Sequence, residues 1–204
     1  ARYFGIDRSR FTFVPPPPSL EGYAVAPSAG SYLFAGGDSS RDYWTLLEAV
    51  RPLRIPVIIA SKNPRWKRRA KALAHVRVEA VSHQRFRELM AGARAVVVPL
   101  NGQLLHSAGQ QTYLNAMSLR KPVIVSDAPG VRDHLTPGQT GWIVPPGDPE
   151  ALRAAIAEVL RDGDQVRRVV EQAAWRVAQR CTLEHYVDRN LALGTAWAHQ
   201  GDGS

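Results

Sequence analysis

An α/β fold is predicted, a Rossmann-like doubly wound parallel sheet of about six strands with helices on both faces, followed by C-terminal helices. Three observations predict it. Short apolar runs rich in β-branched residues recur at 32–36, 56–61, 75–81, 95–100, 122–127 and 141–146, and such continuous runs mark strands buried on both faces. Segments of helical periodicity fill the intervals between them, the alternation expected of a parallel sheet with crossover helices. After Asp162 no further strand pattern occurs, and two long stretches of helical periodicity close the chain.

Taken in order, residues 1–30 form a leading segment. Its "FVPPPPSL" and "AVAPSAG" have the extended composition of a linker, or of a strand leading into one. The sheet domain spans 31–162. "YLFAG" opens it as a strand, and "RDYWTLLEAVRPL" follows as a helix begun by Arg41, with Trp44, Leu47 and Val50 on one side. "DPEALRAAIAEVLRD" begins a helix with Asp148 as N-cap and Pro149 in the first turn. Residues 163–204 hold two helices and a tail, with apolar stripes at Val166, Val169, Val170, Ala173 and Val177 and at Leu183, Tyr186 and Leu191. The "GDGS" end is expected to fray.

Composition narrows the function classes. The 204 residues are 45% hydrophobic and 22% charged, enough for one substantial core. A formal charge of +8 favours an anionic partner: nucleic acid, nucleotide phosphates or an acidic membrane face. The single cysteine, Cys181, excludes an internal disulfide and a multi-cysteine zinc site and fits a reducing compartment. No apolar run reaches the ~20 residues that span a bilayer, and "ARYFGIDRSR" lacks a signal-peptide core. Cytoplasmic placement is therefore expected. The first residue is Ala1 rather than methionine, as in a processed or excised part of a longer chain.

The stretch "SAGQQTYLNAMSLRKPVIVSD", residues 107–127, reads as a turn, a helix and a buried strand. In a doubly wound sheet its start lies beyond the carboxyl ends of the strands, where ligands bind. A helix beginning near Gly109 or Gln110 offers free N–H groups and a positive dipole end, and Gly109 lets phosphate oxygens approach the backbone. Ser107, Gln110, Gln111 and Thr112 add uncharged hydrogen-bonding groups. Capping alone, by Ser107 or Thr112, explains the same residues. After the first strand, Gly36 and Gly37 either admit a ligand with Arg41 pairing a diphosphate, or form a tight turn beside a solvated arginine.

Other chemistries find less support. The glycine spacing matches neither a dinucleotide fingerprint nor a P-loop, and the GxSxG elbow of hydrolases is absent. His83, His106 and His134 have no metal-ligand spacing. His106 adjoins the site as a contact or as an ordinary loop residue. Asp127 and Asp133 resemble an acid/base pair, although Asp127 also suits a turn cap. "NPRWKRRAKALAH" clusters Arg65, Lys67, Arg68, Arg69 and Lys71 around Trp66. Nucleic acid stacked on the tryptophan is one reading; a solvated basic face with Trp66 inward, or touching anionic lipid, is the favoured one.

Read together, "LNAMSLRKPVIVSDAPGVRDHLTPGQTGWIVPPGDPEALRAAIAEVL" and the upstream "YLFAGGDSSRDYWTLLEAV" resemble the nucleotide-sugar-binding half of GT-B-fold glycosyltransferases, most closely the retaining enzymes of family 4. The likeness covers residues 30–162. It implies a domain that binds a nucleoside diphosphate sugar without a metal or other cofactor, working with a separate N-terminal acceptor-binding domain. Alone, such a domain would bind its donor and transfer little. Family members carry two glutamates eight positions apart, and these align with Ser107 and Asn115. The resemblance assigns Asn115 to the ribose and Ser107 to the sugar, with Gly109, Gln110, Gln111 and Thr112 on the diphosphate. Arg41 stands at the place of the family lysine, and Lys62 supplies a second cation. The final helices, through Val177, Tyr186, Leu191 and Trp197, would cover a surface meant for the acceptor half. No residue is assigned a catalytic role. Loss of both glutamates keeps open a silent domain used for interaction or regulation, and the resemblance adds peripheral membrane contact but no nucleic-acid partner.

Overall fold

Each strand is three or four residues long, and each is parallel to its neighbours. In the computed structural model the chain runs β1 (Leu33–Gly36), α1 (Tyr43–Val50), β2 (Val57–Ala60), α2 (Pro64–Ala70), β3 (Val76–Glu79) and α3 (His83–Ala91). It continues through β4 (Ala95–Val98), α4 (Gln110–Ser118), β5 (Val123–Ser126), α5 (Val131–His134), β6 (Trp142–Val144), α6 (Pro149–Leu160), α7 (Asp164–Arg180) and α8 (Leu183–Gly201). The structure describes residues 5, 7, 9, 11–20, 26–28, 30–161 and 163–201, with side chains described through residue 195.

The sheet order is β3-β2-β1-β4-β5-β6, so the six-stranded doubly wound prediction holds. After β3 the chain returns to the other side of β1, with Leu33 facing Ala95 in register. That reversal makes the carboxyl ends of β1 and β4 the switch point, where diverging loops leave a crevice. Here the two loops are stitched together: Asp42 N–H donates to Pro99 O at 3.0 Å and Asn101 N–H to Ser40 O at 3.1 Å.

One apolar layer joins Leu33, Ile59 and Val97 to α1, α2 and α6. The opposite layer joins Phe34, Val96 and Val125 to α3, α4 and α5. Helix α7 belongs to both, because Val166 and Val169 enter the first and Ala173 and Val177 the second. The first turn of α6 is built as expected: Pro149 stands at its start and Asp148 Oδ1 accepts from Ala151 N–H at 2.9 Å. Helix α8 leaves Leu183, Tyr186, Val187 and Leu191 exposed, and the Trp197 side chain lies outside the described residues.

Two expectations are corrected. Arg41 does not open α1; it forms an isolated bridge with Leu100, and Asp42 caps the helix by accepting from Thr45 N–H at 3.1 Å. Trp44 does not face the core with Leu47 and Val50. The buried stripe is Tyr43, Leu46, Leu47 and Val50, the i, i+3, i+4, i+7 set, which leaves Trp44 49% exposed. The favoured inward placement of Trp66 holds: it is buried against Tyr43, edge-on at 5.4 Å between centroids, and offers no stacking platform.

Tyr113, on α4, is fully buried, and its hydroxyl has no hydrogen-bond partner among the described residues. A buried donor left unmade costs about 1–3 kcal/mol. Tyr113→Phe is therefore expected to raise stability by about 1 kcal/mol, or roughly 2–4 °C in thermal melts; an unchanged or lower Tm would show that the hydroxyl is satisfied.

Candidate functional site

At the switch point a guanidinium is held without a carboxylate. The turn after β1 sends Arg41 back under its own loop, where Nε donates to Gly36 O at 3.0 Å and Nη1 to Ser39 O at 2.8 Å. Nη2 donates across the crevice to Thr112 Oγ1 at 3.2 Å, tying β1 to the first turn of α4. Among the described residues one N–H on each terminal nitrogen stays unused, since guanidinium carries five donors. Burial pulls the Arg41 pKa down, and nearby Tyr43 and Asp38 act against that shift. The group stays charged nonetheless, because arginine does not lose its proton in proteins.

The neighbouring glycines make room for this side chain. A Cβ on Gly37, whose φ is +98°, would lie 3.0 Å from Arg41 Nη2. Gly36 serves packing instead: its Cβ would fall 2.3 Å from the Phe86 ring. The tight turn is therefore real, but its arginine is enclosed rather than solvated.

Opposite Arg41, α4 starts without a side-chain cap. Gly109 is the N-cap at φ +75°, and neither Ser107 nor Thr112 caps the helix. Thr112 gives its oxygen to Arg41, while the Ser107 side chain packs against Gly130. A Cβ on Gly109 would meet Val98 Cγ1 at 2.9 Å and lie 3.5 Å from Arg41 Nη1, so the guanidinium sits directly beside the uncapped turn. A partly buried cation and open helix amides together favour an anion.

The remaining polar side chains of α4 point elsewhere. Gln110 Nε2 lies 3.3 Å from His134 Nε2, and because an amide nitrogen only donates, the ring nitrogen accepts. Burial lowers the His134 pKa, which suits that neutral acceptor. Gln111 Nε2 donates to Pro17 O at 3.2 Å. Asn115 is locked twice: its Oδ1 accepts from Ser19 N–H at 2.8 Å and its Nδ2 donates to Ser19 Oγ at 3.0 Å. The proline-rich segment 11–20 thus lies along α4, and Phe13 sets its ring edge-on to His134 at 5.2 Å.

Beside Arg41 a cavity of about 380 Å³ opens between the ends of β1, β2 and β3. Gly37, Asp38, Ser61, Lys62, Ser82 and Phe86 are among its walls. Asp38 accepts from the Ser61 hydroxyl and from Lys62 N–H, the latter at 3.1 Å, so both its oxygens are occupied. The Lys62 side chain is exposed at the rim.

The family model for Glycosyl transferases group 1 matches residues 32–162, more than half of the chain. The chain belongs to that family. A Salmonella typhimurium protein provisionally named as the colanic acid biosynthesis glycosyltransferase WcaL is 34% identical over 80 residues, which are 39% of this chain and 20% of that protein. Anabaena Alr3699/HepE, solved in complex with UDP and glucose, superimposes with a TM-score of 0.70 at 15% identity, over 83% of this chain and 48% of its own. The C-terminal domain of the group 1 protein LpcC from Francisella tularensis gives 0.61 at 12% identity, over 86% of this chain and 98% of its own. The chain thus spans a fifth of WcaL and about half of HepE, but nearly all of the isolated LpcC domain. It has the fold of the C-terminal half of a GT-B protein.

Within this group 1 domain, Arg41, Gly109 and Thr112 are brought together. Gln110 is turned to His134, Gln111 is exposed but bonded to Pro17, Asn115 is covered by segment 11–20, and Lys62 and Ser107 stand exposed at the margins. Asp127 pairs with Arg132 at 2.7 Å rather than with Asp133. No group of three His, Cys, Asp or Glu residues suited to a metal occurs among the described residues. Sequence reasoning missed Asp38, Phe86 and Ser19. Only the run of four prolines hinted that the leading segment has a bound, extended path.

Proposed function

We propose that this chain is the nucleotide-sugar-binding half of a glycosyltransferase that moves a sugar from a nucleoside diphosphate sugar to an acceptor. One observation carries the reading: a partly buried guanidinium has spare donors, no ion-pair partner among the described residues and an uncapped helix start beside it. An unpaired enclosed charge is costly, and a bound diphosphate would offset that cost. In this reading the diphosphate lies between Arg41, held by Thr112, and the amides from Gly109 to Gln111, flanked by Gln110 and Gln111. The nucleoside extends towards the Lys62 cavity, Asn115 reaches the ribose once Ser19 is displaced from it, and Ser107 faces the sugar.

Negative charge grows on the diphosphate as the glycosidic bond to the sugar breaks. Fixed donors aimed at that charge lower the barrier, and arginine with helix amides rather than a metal would supply them. Transfer also needs an acceptor held in the same closed cleft, so the chain alone is expected to bind donor and turn over little. A retaining outcome rests on the family resemblance, and a cytoplasmic site of action on composition.

A second reading, a silent interaction or regulatory domain, draws on Ser19 holding Asn115 and on the absence of both glutamates. Isothermal titration calorimetry against UDP, GDP and ADP, each also as a sugar conjugate, separates the two. Binding selective for one base is the expected result. Silence from every nucleotide would overturn the donor reading and leave the silent one.

A further inference from the structure

We propose that the α2 face is a docking surface for an anionic lipid bilayer. Between Lys62 and Lys71 the chain carries six cations, Lys62, Arg65, Lys67, Arg68, Arg69 and Lys71, and no carboxylate, against a net charge of +8 for the whole protein. All six are exposed, and among the described residues none is ion-paired. Elsewhere on the chain exposed arginines are commonly paired, as in Arg51–Glu48, Arg85–Glu88 and Arg132–Asp127. Unpaired charge gathered on one short helix gives an electrostatic surface that faces a partner of opposite sign.

The aromatic residues decide what kind of partner. Single-stranded nucleic acid needs exposed rings on which bases stack. Trp66 is buried, with Arg65 already 4.2 Å from its centroid. The accessible ring is Trp44, half-exposed on α1, with the Arg69 guanidinium 4.7 Å from its centroid. A half-exposed amphipathic indole beside lysine and arginine stems matches a headgroup layer, where rings sit at the boundary and cationic heads reach the phosphates. Lys62 also borders the cavity beside Arg41, so the surface meets the candidate site at that residue.

The test is co-sedimentation of the whole chain with phosphatidylcholine vesicles containing about 30% phosphatidylglycerol, and with phosphatidylcholine alone. Binding to the anionic vesicles only, weakened as salt rises from about 0.1 to about 0.5 M, is expected. The triple variant K67Q/R68Q/K71Q should lose roughly 100-fold in partitioning, about fivefold per cation. It should keep the parent's thermal melt and nucleotide titration, since none of the three belongs to the candidate site; nucleotide silence in both proteins would count against the donor reading alone. Equal sedimentation of variant and parent, or no preference for the anionic vesicles, would overturn the proposal. Displacement from vesicles by an RNA oligonucleotide that binds more tightly would overturn it in favour of nucleic acid.

Discussion

Arg41→Ala is expected to weaken nucleoside diphosphate binding by on the order of 100-fold, the largest effect of any single side chain in the site. Charge-assisted hydrogen bonds contribute about 1.5–3 kcal/mol, which spans roughly 10- to 150-fold in affinity. Arg41 belongs near the top of that range because its guanidinium is enclosed and lacks a carboxylate that would compete with the ligand. Arg41→Lys keeps the charge but not the planar fork that spans Gly36 O, Ser39 O and Thr112 Oγ1, so it should recover only part of the loss. Calorimetry with the nucleotide bound by the parent measures affinity, and a thermal melt reads stability separately. An alanine variant that melts normally and binds within about twofold of the parent would place the diphosphate away from Arg41.

Much of the sheet was legible because β1, β2, β4 and β5 are short apolar runs buried on both faces, the last three of them β-branched, a signal that needs no long-range information. The face of α1 was harder. Trp44 and Tyr43 are adjacent, and helical spacing alone allowed the wrong one to be turned inward; the edge-on contact of Tyr43 with Trp66 and the stacking of Arg69 on Trp44 settle it through residues from the next crossover. The site was half legible. Glycine before a helix marks an anion site or a plain turn equally well, and only the conformation of Gly109 and the Thr112 bond to Arg41 remove the capping alternative.

The path of segment 11–20 was invisible for a different reason. Proline composition encodes an extended backbone but not the surface it lies on, and Ser19 and Asn115 are 96 positions apart. The same holds for Gly36, whose missing side chain is explained by the Phe86 ring and not by a ligand. These features are tertiary, and each lies within or beside the crevice, where local rules are outweighed by contacts between distant loops.

Gly109→Ala is expected to cost about 3 kcal/mol and to reduce nucleotide binding sharply, whereas Gly147→Ala should cost about 1 kcal/mol and leave binding unchanged. Both glycines lie in the left-handed region, at φ +75° and +72°. A side chain is disfavoured there by about 1–2 kcal/mol whatever surrounds it. They differ in their surroundings. Nothing lies within 4 Å of a Cβ on Gly147, while one on Gly109 meets Val98 Cγ1 at 2.9 Å. Val98 ends a central strand and cannot yield without moving β4, so overpacking adds to the strain. The difference between the two variants in chemical denaturation therefore isolates the packing cost. The start of α4 is also the proposed diphosphate cradle, so moving it should lower affinity in step with that cost. Equal destabilisation by the two substitutions, with binding intact, would mean that α4 can shift freely and that its first turn holds no ligand.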